Sequence, residues 1–176
     1  MFNNIPEVKL GIVAVSRDCF PIELSKKRRI NVVKACADKN IDIYEAQTIV
    51  ENETDMLEAI DEVNKAGVNA LVVYLGNFGP EGPETYLCKN FDGPCMYVAA
   101  AEETQEDLID GRGDAYCGVL NASYNLGLKN LKAYIPEYPV GLPDEVADMI
   151  AEFENIARAI IGVKLSLIHI SEPTRH

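Results

Sequence analysis

Val8–Val15 reads VKLGIVAV and Ala70–Leu75 reads ALVVYL. Runs this continuously apolar suit strands covered on both faces, as in a parallel sheet between layers of helices; a sheet with one wet face alternates instead. Working outward, Ile22–Lys39 carries Ile30, Val33 and Ala37 at helical spacing, with Asn40 as its stop. Ile41–Ala46 (IDIYEA) reads as a second strand. Thr54–Ala66 follows as a helix, with Thr54 as its cap, Met56, Leu57, Ile60 and Val63 on one face and Gly67 at its end. After the third strand, ALVVYL, comes a short helical piece near Glu84–Lys89, then Pro94–Ala101 (PCMYVAAA) as a fourth strand. Cys117–Leu128 reads as a helix with Leu120, Tyr124 and Leu128 on one face, and Lys132–Ile135 as a short fifth strand. Pro143–Ile161 closes the series as a helix with Val146, Met149, Ile150, Phe153, Ile156, Ala157 and Ile160 facing inward. Strands alternating with helices across short loops predict an α/β fold, a three-layer αβα sandwich around a parallel sheet of order 2-1-3-4-5.

The 176 residues suffice for one core. Twenty-eight acidic residues against 16 basic ones give a net charge of -12, which repels phosphate backbones and argues against a nucleic-acid partner. The one basic cluster, Lys26–Arg29, reads as a solvated helix face. Five cysteines without CxxC spacing fit a reducing compartment. With no secretory leader and no membrane-length apolar run, a cytoplasmic protein without a membrane partner is expected. From Leu165 to His176 the chain changes character, and LSLIHISEPTR resembles the translation of a sequencing adapter. The expectation is a domain over residues 1–164 and a non-native tail over 165–176, which holds both histidines.

In an open parallel sheet, ligands bind beyond the carboxyl ends of the strands. That rule selects Ser16–Cys19, Gln47-Thr48, Gly76–Gly82 and Glu102-Glu103. The first loop, Ser-Arg-Asp-Cys-Phe-Pro, has no glycine to admit a pyrophosphate, and GxxxxGK[ST] occurs nowhere. Gly76 stands where a receiver domain needs a carboxylate. A mixed polar set remains, suited to a hydroxyl-rich neutral ligand such as a sugar: Arg17 offers a fork of donors, Asp18 and Asn77 acceptors, Phe78 an apolar face. Plainer uses stand beside these: Asp18 as a turn cap before Pro21, Arg17 as an ion-pair partner of Glu102 or Glu103, and the Gly/Pro-rich third loop as turn chemistry alone. Glu81, Glu102 and Glu103 raise the question of a carboxylate site, but an adjacent Glu pair more commonly opens a helix.

KLGIVAVSRDCFPIELSKKRR (9–29), ALVVYLGNFGPEGPETYL (70–87) and YVAAAEE (97–103) together resemble the amino-terminal domain of the L-fucose/L-arabinose isomerase family, in its fucose-isomerase-like branch. The resemblance implies a substrate-binding and oligomerisation domain of a metal-dependent aldose–ketose isomerase. It implies Mn²⁺ for the full-length parent, with no catalytic or metal-ligating residue in this chain, a small sugar as partner and a homo-oligomer. It also implies that Arg17 matches a substrate-contacting arginine, with Asn77 and Phe78 facing the sugar. The alternative is a sugar-sensing or interaction module without catalysis. On this reading the isolated chain is inactive with added manganese and behaves poorly in solution, its sister-domain surfaces being exposed.

Overall fold

A computed structural model describes residues 5–103 and 111–171, with side chains as far as Ser166. Five strands and five helices alternate along it. They are β1 (Leu10–Val15), α1 (Ile22–Asp38), β2 (Ile43–Glu45), α2 (Glu53–Lys65), β3 (Ala70–Leu75), α3 (Glu81–Asn90), β4 (Cys95–Ala100), α4 (Ala115–Leu128), β5 (Val140–Gly141) and α5 (Pro143–Ser171). The sheet is wholly parallel, in the order β2-β1-β3-β4-β5, with helices on both sides, as the apolar runs predict. Helix α1 packs against α5, while α2 packs against α3 and α3 against α4.

Every residue of β1, β3 and β4 is buried, which is why these strands do not alternate in hydropathy. Val15 pairs with Leu75, so β1 and β3 leave the sheet at the same level. The chain turns to opposite faces after these two strands, and the crevice between their loops is the switch point of the fold.

Local signals set the helix ends. Asn52, not Thr54, caps α2, its side-chain oxygen accepting from the Thr54 and Asp55 amides at 2.9 and 3.1 Å. Gly67 follows at a φ of 75°, open to glycine without strain.

Several expectations are corrected. The fifth strand is Val140–Gly141, paired with Ala99 and Ala100; of Lys132–Ile135, only Tyr134 bridges the sheet, to Met96. Helix α1 buries Ser25, Arg28, Arg29, Val32, Ala35 and Cys36, leaving Ile30 exposed. On α2, Leu57 faces solvent, and Ile160 does the same on α5. The face of α4 bearing Leu120, Tyr124 and Leu128 is exposed; Ala115, Gly118, Val119, Ala122 and Leu126 point inward. Helix α5 continues past Ile161 to Ser171. No helix among the described residues is long and apolar enough to cross a membrane.

Candidate functional site

Ser16 to Phe20 and Gly76 to Pro80 form the two lips of the crevice, and Asn77 ties them together. Its side chain is fully buried. Oδ1 accepts from the Arg17 amide at 3.0 Å and the Gly79 amide at 3.3 Å, while Nδ2 donates to Ser16 Oγ at 2.9 Å and the Pro21 carbonyl at 3.4 Å. The amide is therefore fully engaged inside the protein. Asn77, expected to face a sugar, is turned inward as the clamp of both loops.

Outside that clamp, Arg17, Asp18 and Phe78 lie toward the surface. The Arg17 guanidinium stands 4.9 Å from the centre of the Phe78 ring, and Phe20 stacks on the same ring at 6.2 Å. A cation over an aromatic face in a half-exposed position is worth about 0.5–1 kcal/mol, enough to bias the guanidinium's direction. Glu81 approaches Arg17 at 3.6 Å, but both side chains are well exposed, so the pair adds little to stability. Asp18 is exposed within the turn that the Phe20 amide closes onto the Arg17 carbonyl at 2.8 Å. Together they present a planar donor fork backed by an aromatic ring, and an exposed carboxylate acceptor.

Arg28 and Arg29 correct the reading of the basic cluster as a solvated face. Lys26 and Lys27 are exposed, whereas the two arginines are 4% and 1% exposed and lie on the inner stripe of α1. Arg28 donates to the Gly76 carbonyl at 2.8 Å, to Glu102 at 2.5 Å and to the Gly111 carbonyl at 3.2 Å. The other Glu102 oxygen accepts from the Gly113 and Asp114 amides, at 2.9 and 3.0 Å, where α4 begins. Arg29 donates to Glu45 at 2.9 Å and to the Gln47 carbonyl at 3.3 Å. One helix thus joins the ends of β2, β3 and β4. The signal was present in the spacing: positions 25, 28, 29, 32, 35 and 36 form a helical stripe even though two of them are arginine.

Glu102 is hence the partner of Arg28, not of Arg17. The helix expected to start at Glu102-Glu103 would run through residues 104–110, outside the described residues. Beside Arg28, a cavity of about 430 Å³ is lined by Lys27, Glu23, Glu103 and Gly111 among others. Neither Arg17 nor Phe78 borders it.

Beneath the Gly79 turn lies Glu84, in the first turn of α3. It is fully buried, and neither carboxyl oxygen has a hydrogen-bond partner. Burial pushes its acidity well above the ordinary carboxylate range; neighbouring Glu81 adds to this and Arg17 opposes it. Gly79 has a φ of 79°, and a side chain there would collide with the Glu84 carboxyl. Tyr97 donates to the Glu84 backbone carbonyl at 2.5 Å. Spacing alone gave no hint of Glu84, since a glutamate in the first turn of a helix ordinarily faces water.

Among the described residues no three His, Cys, Asp or Glu side chains gather as a metal would need. Glu81 faces Arg17 and Glu102 is spent on Arg28 and two backbone amides. This donor set does not fit manganese.

No curated protein sequence matches the chain. Residues 11–164 match the family model described as "Fucose/sulfoquinovose isomerase, N-terminal domain", and by that match the chain belongs to the fucose/sulfoquinovose isomerase family, as its N-terminal domain.

Proposed function

We propose that this domain supplies one wall of a sugar pocket to an aldose–ketose isomerase, with Arg17 as the principal contact and Phe78 and Asp18 beside it. The observation that carries the reading is the Arg17 guanidinium, held 4.9 Å over the Phe78 ring at the switch point of the sheet. A planar fork of donors binds vicinal hydroxyls, and the half-buried Phe78 ring beneath the guanidinium holds that fork in place. Asn77 serves as a positioning residue, fixing the backbone of both lips. On this reading manganese, implied for the whole enzyme, is held by other parts of the parent protein, where the proton transfers take place; in support, no three His, Cys, Asp or Glu side chains gather among the described residues. Assembly of the parent as a homo-oligomer, with this wall closing a neighbour's pocket, is part of the same proposal.

The test is a titration of the ¹⁵N-labelled chain with L-fucose and L-arabinose, following backbone amides. Saturable shifts are expected at Arg17, Asp18 and Phe78. Arg17→Ala loses a charge-assisted hydrogen bond worth about 1.5 kcal/mol, and so weakens binding roughly tenfold. Shifts confined to other parts of the surface, or none at all, overturn the assignment.

A further inference from the structure

Among the described residues Glu84 is the only buried carboxyl side chain, and neither of its oxygens meets a donor. Its backbone, by contrast, is held at both ends. The Glu84 amide donates to the Pro80 carbonyl at 3.0 Å, and the Glu84 carbonyl accepts from the Tyr97 hydroxyl at 2.5 Å. The phenol proton of β4 is thus spent on the main chain and not on the carboxyl. Over the carboxyl lies the Gly79 turn: a Cβ built there would overlap Glu84 Oε2 and stand 2.9 Å from Val15 Cγ2. The carboxyl is therefore closed in by an apolar side chain of β1 and by the bare backbone of a loop. From this geometry we propose that Glu84 is a proton-operated latch and the positioning residue of the Gly76–Pro80 lip. With the carboxyl neutral the Gly79 turn seats over it; with the carboxyl ionised the turn lifts, admits water and parts from the lip that carries Arg17.

A buried carboxylate without donors is strongly unfavourable, so losing the proton must bring water to the oxygens. The walls differ in how easily they give way. Val15 belongs to a central strand and pairs with Leu75 on one side and Val50 on the other. The start of α3 is pinned through Pro80 and Tyr97. Gly79 is the wall that can move: it lies in a loop, and its amide reaches Asn77 Oδ1 at 3.3 Å, against 3.0 Å for the Arg17 amide on the same oxygen. The longer bond breaks first, and Asn77 stays fastened to the Arg17 lip. Phe78, next in the chain, moves with Gly79 and takes the aromatic seat away from the Arg17 guanidinium. Burial, and after it the charge of Glu81, keeps the proton on Glu84, while Arg17 favours its release. From the neighbouring helices, Glu53 of α2 approaches Gly82 with the same sign of charge, and α4 meets the lip through uncharged Gly118. The response needs no sugar, so it stands or falls apart from the binding role of Arg17.

The experiment takes the intact ¹³C,¹⁵N-labelled chain, without sugar, from about pH 5 to about pH 9. It follows the Glu84 carboxyl carbon together with the backbone amides of Arg17, Phe78 and Gly79. The expected result is a carboxyl midpoint above the ordinary 4.5, shared by the shifts of the Phe78 and Gly79 amides. Above that midpoint the Gly79 amide should exchange with solvent at least about tenfold faster relative to its intrinsic rate, as its bond to Asn77 is lost. Glu84→Gln, which cannot ionise, should hold the acid-form amide positions throughout. Phe78 and Gly79 amides that stay fixed overturn the proposal, as does a carboxyl that titrates without them or only as the whole chain unfolds. The same amide shifts persisting in Glu84→Gln would assign them to another group and overturn it too. Should that variant fail to fold, the comparison of carboxyl and amide midpoints in the wild-type chain decides the matter alone.

Discussion

Glu84 carries a carboxyl under the Gly79 turn that no donor reaches, so the folded protein holds a proton which the unfolded chain has released. Above the ordinary carboxylate value of 4.5 the unfolded state binds fewer protons than the native one. Stability contributed at this position is therefore intact in acid and declines as pH rises toward the elevated native value. Glu84→Gln removes the titration: urea midpoints should match wild type in acid and exceed it at neutral pH, by on the order of 1 kcal/mol. A variant whose midpoint falls in parallel with wild type between those conditions would show that the carboxyl is not the titrating group. Individual residues were the least legible level of the sequence. Arg28 and Arg29 look solvated because hydropathy cannot show that Glu102 lies 74 positions away and Glu45 lies 16 away, each arriving through the sheet. Asn77 was legible as important, but its inward direction depends on Ser16 and Pro21, which only β1–β3 pairing brings near.

Helix α4 shows how an element can be recognised with its faces exchanged. Its large apolar residues suggested the core side, yet the buried side is built of Ala115, Gly118, Val119 and Ala122. Close approach accounts for the choice. A side chain at Gly118 would overlap the Phe78 carbonyl, so α4 lies directly against the loop that presents the candidate site. Gly118→Ala gains about 1 kcal/mol of helix propensity but forces that loop outward, an overpacking cost of about 1–3 kcal/mol. The expected outcome is a net loss of thermal stability, with amide shifts concentrated at Phe78 and Arg17. Shifts spread along α4 and absent from the loop would locate the strain elsewhere. The three long strands were legible because an uninterrupted apolar run between turn residues suits a strand covered on both faces and little else. At two residues beside Pro139, β5 is too short to carry any periodicity.

Across the whole molecule, layer order and topology follow from strand–helix alternation and the right-handed crossover, neither of which depends on knowing a single side-chain contact. Surfaces were not so readable. Tyr116, Leu120, Tyr124 and Leu128 are 51–66% exposed along one side of α4, an apolar stripe on a chain of net charge -12. Charge repulsion opposes contact between copies at low ionic strength and is screened as salt rises. Sedimentation should therefore report association growing with both concentration and salt, and Leu120→Glu combined with Tyr124→Glu should abolish it. Monomers at every salt concentration would exclude the stripe as a contact surface. Finally, the buried amide that joins Arg17 to Gly79 makes the two lips of the crevice a single part. Anyone redesigning what this edge grips should transplant both segments together, since a graft of either one alone would leave its counterpart without its fastening.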